Sequence, residues 1–382
     1  MAKPSSTSNS DPSRRALVAW LLALAMVLAV DRIALGDGGL WQALSERIDP
    51  HHRFERGIVR DRLELRRIGG VEPHRQRVFV VGSSRAVAGF RPRLVAESLP
   101  EEAAFGLIAH GGFTTFEMRS MVADMLAAEP DAVVFVLSEL EINTPLRILA
   151  QSSFSSLPAI GDLVAAVGPR FAFANRQILY RLAAANLLNA YRYRQVLDRA
   201  FAGRWRRFAA SDRLTQGRAP RTPMMILSAD ARKTLGRRSR QRLLATAKAS
   251  FPDTPERIVE ESFRRVVRIA RGDHATIQQD FVRRSIGRLA AAGARVVIVE
   301  APLHPLAERL YDVAARDDFL TFAADLERDF GARLMPLEAI GAFTGEDFTD
   351  LIHLGESGGI RLTRQIVGTV GEILEISQPK AE

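Results

Sequence analysis

The chain has 382 residues, enough for one large α/β domain with additions, and it contains no cysteine. The lack of cysteine excludes disulfide bonds, a thiolate nucleophile and a cysteine-based zinc site. The formal net charge is +9, but thirteen basic residues lie between Arg199 and Arg242 against two acidic ones, which leaves 40 basic and 42 acidic residues elsewhere. The basic character is therefore local.

The N-terminal region predicts a membrane segment. Residues 1–15 are rich in Ser and Pro at their start and are expected to be a disordered cytoplasmic tail. An apolar run begins at Ala16 and, taken to Gly36 with a charged pair at its far end, reaches the roughly 20 residues that span a bilayer. Basic residues before the run place the N-terminus inside. The alternative is a cleavable signal peptide, because small residues at Ala34 and Gly36 offer a cleavage site.

Residues 37–76 are charged and partly helical, and they predict either a stalk or an early helix of the domain. From residue 77 onward, apolar strand patterns alternate with helical ones, which predicts an α/β fold with a parallel sheet, helices on both faces and ligands beyond the carboxyl ends of the strands. The strands are predicted at Val78–Val81, Ala103–Ala109, Ala132–Leu137, Arg295–Glu300 and Arg333–Leu337. The helices are predicted at Phe90–Leu99, Thr115–Leu126, Thr276–Ala292, Leu306–Phe330 and Gly358–Ile376.

The middle of the chain, about residues 146–272, breaks this alternation. Helical patterns occur at Gln177–Phe201 and at Thr254–Arg271, where Thr254 is a suitable N-cap and Pro255 suits the first helical position. A basic, proline-punctuated stretch lies between them. We interpret the segment as an insertion that forms a helical cap over the functional site.

Two distant motifs carry the chemistry. The first strand runs into Gly82-Ser83-Ser84-Arg85, so a hydroxyl is presented in a tight turn at the end of a buried strand. A serine needs a histidine base and a group that orients the base. Asp350 and His353 are three residues apart near the C-terminus, a spacing that lets the carboxylate fold back onto the imidazole. Together the motifs contain the parts of a catalytic triad.

Gly82-Ser83-Ser84 followed far downstream by Asp350-x-x-His353 resembles the SGNH/GDSL hydrolase superfamily, in particular bacterial envelope members with a GSSR-type turn. The resemblance covers residues 77–145 and 281–376. It implies a flavodoxin-like three-layer sandwich in which Ser84 is the nucleophile, His353 the general base and Asp350 its partner.

The resemblance also implies donors for the oxyanion: the nucleophile's own N–H, a glycine after the second strand and an asparagine after the third. Gly111 or Gly112 fits the second donor. After the third strand the chain departs from the family pattern, because Leu140 stands in the place of the asparagine; Asn143 is the alternative donor.

Three other polar residues lie at predicted strand ends. Arg85 is expected either to hold an anionic or hydroxyl-rich substrate or to form a salt bridge at the strand end. His110 and His304 could each replace His353 as the base, with a structural role as the alternative.

The resemblance implies an enzyme of the bacterial inner membrane, single-pass, with its catalytic domain in the periplasm. It would transfer an acyl group through Ser84 to water or to an envelope polysaccharide, without a cofactor or metal, and similar proteins work beside a multispanning membrane acyltransferase. The alternative is a catalytically inactive scaffold or polysaccharide-binding subunit, which the missing asparagine favours.

The basic segment from Arg199 to Arg242 is either a solvated face or a contact with anionic lipid or acidic polysaccharide. Nucleic acid is the least favoured partner, because the predicted anchor puts this segment outside the cytoplasm and its aromatic residues are too sparse for base stacking.

Overall fold

A computed structural model of the chain describes residues 12–49, 53–98, 103–111, 113–143, 176–209, 237–267, 273–308 and 313–375. Within these residues, five strands form one sheet in the order β2-β1-β3-β4-β5, and every pair is parallel. The strands are β1 (Gln76–Gly82), β2 (Ala103–Ala109), β3 (Ala132–Leu137), β4 (Arg295–Glu300) and β5 (Arg333–Met335). All five predicted strands, and the α/β class, are confirmed.

The sheet is buried on both faces, which explains why its strands are continuous apolar runs. Side chains alternate along each strand. In β1, Val78 and Val80 pack into one core, whereas Phe79 and Val81 pack into a second core on the opposite face. Two helical layers therefore enclose the sheet.

The first core is covered by helices that follow β1 and by the C-terminal helix, and the second by helices from both halves of the chain. The first layer includes α4 (Ser84–Gly89), α5 (Pro92–Ser98) and α17 (Glu356–Ile373). The second layer includes α3 (Arg53–Gly69), α6 (Thr115–Ala127), α13 (Asp273–Ala291) and α15 (Val313–Phe330). The short elements are α7 (Glu139–Asn143), α14 (Pro305–Glu308), α16 (Leu337–Ile340) and a 3-10 turn at Gly345–Asp347.

The helix predicted at Phe90–Leu99 is observed as α5, which begins two residues later, at Pro92, whereas α4 before it was not predicted. Helix α4 begins directly at Ser84 and ends at Gly89, and α5 begins afresh at Pro92. Phe90 is extended, with φ −108° and ψ 130°. The chain cannot continue as one helix because Pro92 disfavours the helical conformation in the residue before it.

Helix α1 (Pro12–Ala34) precedes the domain. Its residues from Ser13 onward form a helix long and apolar enough to cross a membrane. The predicted disordered tail is wrong for residues 12–15, which form the first turn of α1; residues 1–11 lie outside the described residues.

Residues 37–76 form part of the domain, which is the second of the two alternatives. They contain α2 (Gly38–Arg47) and α3, and Ile68 of α3 is fully buried in the second core. A third, smaller core packs Leu35, directly after α1, against Trp41 of α2, Val59 of α3 and Tyr193 of the middle segment.

The middle segment is helical where it is described. Its helices are α8 (Arg176–Leu187), α9 (Asn189–Arg192), α10 (Arg194–Ala209), α11 (Arg237–Ser250) and α12 (Glu256–Val267). Most of the basic segment, residues 210–236, lies outside the described residues, as do residues 144–175. Helix α12 packs on the first core through Val259 and Phe263.

Candidate active site

Ser84 lies at the carboxyl end of β1, at the point between β1 and β3 where the winding of the sheet reverses. Parallel α/β sheets bind their ligands at such a point. Ser83 is the N-cap of α4 and its hydroxyl accepts the N–H of Arg85, so Ser84 is the first helical residue. Gly82 permits this abrupt turn, because a Cβ at its position would lie 2.6 Å from the Cβ of Ala86.

His353 and Asp350 reach this turn from the loop before α17. The Asp350 Oδ1 atom accepts the backbone N–H groups of Ile352 at 2.8 Å and of His353 at 2.9 Å, which closes a tight turn. Its Oδ2 atom lies 2.7 Å from His353 Nδ1. An ionised carboxylate only accepts hydrogen bonds, so Nδ1 carries the ring proton and Nε2 is left as an acceptor.

The Ser84 Oγ atom lies 2.8 Å from His353 Nε2, although 269 positions separate the residues. With Nδ1 protonated, the serine hydroxyl donates this hydrogen bond. The side chain of Asp350 is 3% exposed and that of His353 is 23% exposed, so the carboxylate is shielded while the imidazole faces a cavity. This is the geometry of a Ser-His-Asp triad.

The Arg85 side chain is buried and fixes the carboxyl ends of three strands. Its guanidinium donates to Glu141 after β3, at 3.2 Å, and to the carbonyls of Ala301 and Pro302 after β4, at 2.5 and 2.8 Å. It also donates to the Ser138 hydroxyl. Arg85 therefore forms the ion pair at the strand end, which is the structural one of its two predicted roles. Its guanidinium points into the protein.

Glu141 connects Ser83, in the turn after β1, and Ser138, in the turn after β3, to the hydrogen bonds of Arg85. Its carboxylate accepts the Ser83 hydroxyl at 2.9 Å and the backbone N–H of Ser138 at 2.9 Å. The Arg85 and Glu141 side chains are 4% and 7% exposed. The turn that carries Ser84 is therefore held by buried charge-assisted hydrogen bonds.

Removing the Glu141 carboxylate should be costly, because it leaves the buried Arg85 charge without its counter-ion. We expect Glu141→Ala to lower the free energy of unfolding by about 3–5 kcal/mol, measured by urea unfolding of the full-length protein in detergent. Glu372→Ala is the matched control: this carboxylate also pairs with an arginine, at 3.1 Å, but its side chain is 64% exposed. Its expected cost is about 0–1 kcal/mol. Equal effects of the two substitutions would contradict the assignment.

The predicted oxyanion donors are brought together only in part. Ser84 is the first residue of α4, so its N–H has no acceptor within the helix. Gly111 follows β2 and lines the same cavity as Ser84 and His353. Gly112 lies outside the described residues, and Asn143 ends α7 with a side chain that is not described. Leu140, at the place of the family asparagine, is buried in the first core and carries no side-chain donor.

The cavity above the triad has a volume of about 830 Å³, a size suited to a small-molecule or sugar-sized ligand. Its walls come from the triad residues, helices α2, α3 and α4, the turn after β2 and the start of α12. Arg56 and Arg60 line it from α3, and Asp253 to Pro255 line it from the start of α12. The predicted contribution of the middle segment to the site is therefore observed, whereas the contribution of α3 was not predicted.

His110 does not contact Ser84 as a base. Its Nδ1 atom lies 2.7 Å from Asp61 of α3, and both side chains are buried. Gly57 allows α3 to pack this closely, since a Cβ there would lie 2.3 Å from the Cβ of His110. Burial alone would lower the pKa of His110, but Asp61 outweighs it and raises that pKa above its usual value.

Glu117 extends this buried cluster. Its side chain completes a capping box with Thr114 at the start of α6. Burial raises the pKa of Glu117 to about 7, although His110 and the groups of Thr114 that donate to the carboxylate act in the opposite direction. The native state therefore holds a proton here that the unfolded chain releases at lower pH.

This proton makes stability fall as pH rises between about 4.5 and 7. We expect Glu117→Gln, which keeps the capping box, to reduce that slope by up to about 1.4 kcal/mol per pH unit. A residual slope of the same sign remains from Glu139, whose pKa burial also raises to about 7. The measurement is urea unfolding at several pH values, with Glu327→Gln as an exposed control. Identical slopes for the three proteins would contradict the assignment.

His304 supports the triad loop from the other side. Its backbone N–H donates to the carbonyl of Leu351 at 3.2 Å, and its ring packs edge-on against Phe251 and Phe348. Burial lowers the pKa of His304, although the nearby Asp350 acts in the opposite direction. The neutral ring is therefore favoured. In this structure His304 holds the loop in place, and His353 alone of the three histidines contacts Ser84.

Several of these residues were not predicted from the sequence. Asp61 is an acidic residue within a helix, and nothing in its spacing distinguishes it from a surface charge. A local signal existed for Glu117 and Glu141, because each stands three residues after a Thr or Ser in the pattern of a capping box. No family model matches the chain, and no curated protein matches it either.

Proposed function

We propose that this chain is a membrane-anchored SGNH-like serine acyltransferase or esterase that works through an acyl-Ser84 intermediate. The observation that carries the proposal is the continuous hydrogen-bonded series from Asp350 through His353 to Ser84, with distances of 2.7 and 2.8 Å, at the mouth of a cavity. The strand order 2-1-3-4-5 supports the flavodoxin-like arrangement expected for this superfamily.

In the first half of the reaction, Ser84 Oγ attacks the acyl carbonyl carbon while its proton moves to His353 Nε2. The resulting oxyanion is met by the backbone N–H groups of Ser84 and Gly111. Collapse of the intermediate breaks the bond to the leaving group, which takes the proton from His353. Asp350 stabilises the imidazolium that forms between these two steps.

In the second half, His353 removes a proton from water or from a carbohydrate hydroxyl, whose oxygen attacks the acyl carbon. The bond to Ser84 Oγ then breaks, and the proton returns to the serine. Hydrolysis and transfer use the same residues. The cavity, walled by α3 and the start of α12, has room for an acceptor larger than water.

The proposed setting is the periplasmic face of a bacterial inner membrane, with α1 as a single-pass anchor and an envelope polysaccharide as the acceptor. A multispanning membrane protein would supply the acyl donor. Helix α1 supports the anchoring, because a helix of this length and hydropathy can cross a bilayer.

Hydrolysis of a chromogenic acetyl ester by the purified full-length protein tests the activity, and added oligosaccharide tests transfer. Wild-type protein should release the chromophore, and acetylated sugar should appear by mass spectrometry if the acceptor is a carbohydrate. No release above the rate of Ser84→Ala would contradict the proposal.

An inactive scaffold or polysaccharide-binding subunit is the second candidate. The buried Leu140 favours it, because the loss of one oxyanion donor typically costs about 10²–10³ in rate. A strain in which Ser84→Ala still supports normal polysaccharide acylation would identify the scaffold.

A further inference from the structure

Helix α8 carries an exposed apolar stripe. Outside α1, only two large hydrophobic side chains are strongly exposed in the described part of the chain, Tyr180 at 70% and Leu187 at 52%. Both lie on α8, seven residues apart and hence on one face, with the exposed Ala183 between them. The stripe is about 10 Å long at 1.5 Å per residue.

The C-terminal end of α1 is bonded to the junction between α8 and α9. The Asp31 carboxylate accepts the backbone N–H groups of Asn189 and Ala190, both at 2.6 Å, and it is 8% exposed. Arg32 donates to the carbonyl of Asn186, in the last turn of α8, at 2.8 Å. Asp31 and Arg32 thus bind the end of α8 and the start of α9, and we call these contacts the Asp31 clamp.

The residues after α1 are built into the domain. Leu35 belongs to the third core, and its carbonyl accepts the indole N–H of Trp41 at 3.2 Å. The Trp41 ring packs edge-on against Tyr193, with ring centroids 4.9 Å apart. Cleavage near residue 36 would separate Asp31 from the two N–H groups it satisfies, so the folded domain needs the end of α1.

These contacts fix the height of α8 relative to a bilayer. The large apolar side chains of α1 are exposed along nearly its whole length, so lipid would cover them up to its last turn. Helix α8 ends beside that same turn. Its stripe of one tyrosine and small or aliphatic residues suits the boundary between headgroups and acyl chains, where tyrosine is enriched.

We propose that α1 is retained and that α8 lies along the outer surface of the bilayer, with Tyr180, Ala183 and Leu187 in contact with lipid. The domain then has two membrane contacts, joined by the Asp31 clamp, and is held in one orientation above the membrane. The occupant of the stripe is lipid because Arg32, at the end of the exposed apolar helix α1, bonds Asn186, which is next to Leu187 at one end of the stripe. This inference does not depend on the catalytic proposal.

The chain contains no cysteine, so a cysteine introduced by mutation is its only thiol and can be labelled at that position alone. Ala183→Cys, labelled with an environment-sensitive fluorophore, is reconstituted as full-length protein in phosphatidylcholine liposomes that contain no other protein. Ala324→Cys, at an exposed alanine on α15, is the matched control. We expect blue-shifted emission at position 183 and quenching by spin-labelled lipid, and neither effect at position 324.

Two further measurements address the clamp and the retained anchor. Adding Asp31→Ala to the Ala183→Cys protein should reduce the lipid quenching several-fold. The mass of protein extracted from membranes should correspond to a chain that still contains α1. Water-like emission at position 183 in liposomes, or a mature chain that begins near residue 36, would overturn the proposal; shielding of position 183 only when another protein is added would identify a protein partner instead.

Discussion

Replacing Ser84 by alanine is expected to abolish formation of an acyl-enzyme and to lower kcat for ester hydrolysis by about 10⁴–10⁶-fold. The reason is that Ser84 Oγ, 2.8 Å from His353 Nε2, is placed to form the proposed covalent bond while its proton passes to the imidazole. The measurement is the steady-state rate with an acetyl ester, together with the burst of product in the first turnover. Circular dichroism checks that the variant is folded.

Ser83→Ala is the matched control for this substitution. It removes the neighbouring hydroxyl, which caps α4 and donates to Glu141, but leaves the nucleophile in place. We expect a loss of about 1 kcal/mol in stability from the missing cap and retention of the burst. If Ser83→Ala removed the burst and Ser84→Ala kept it, the nucleophile would be assigned to the wrong serine.

Asp350→Asn should lower kcat by about 10⁴-fold without unfolding the loop. The amide oxygen can still accept the N–H groups of Ile352 and His353, which Asp350 Oδ1 accepts now. The amide nitrogen, however, would donate toward Nδ1 and favour the tautomer with a proton on Nε2. That tautomer cannot accept the proton of Ser84.

The rate of Asp350→Asn should be compared with that of Asp347→Asn. Asp347 is a buried carboxylate of the same loop, but it caps the 3-10 turn and bonds Ser357 and Arg361 rather than His353. We expect its rate to fall less than 10-fold. Similar losses in the two variants would show that the loop as a whole, and not the orientation of the imidazole, limits catalysis.

The sheet could be predicted from the sequence because its strands are buried on both faces. Runs such as Val78–Val81 and Ala132–Leu137 are apolar throughout, and such runs bounded by turn residues are typical of parallel strands. The Ser84 and His353 motifs could be paired because each follows a strand pattern and the carboxyl ends of parallel strands lie together.

The partners of the supporting residues could not be predicted because they are distant in sequence. Arg85 contacts residues from positions 138 to 302, and its burial follows from the convergence of three strand ends. Asp31 belongs to the charged pair that the sequence places at the far end of the apolar run. In the structure it satisfies backbone N–H groups 158 and 159 positions away, an interaction without a local sequence pattern.

The most direct test of the central claim is to map the site of covalent labelling by a fluorophosphonate on the folded full-length protein. We predict one adduct, on the peptide that contains Ser84, and its loss when the protein is denatured before labelling. An adduct confined to a different serine, or no adduct under conditions that label a known serine hydrolase, would contradict the claim that Ser84, His353 and Asp350 act together.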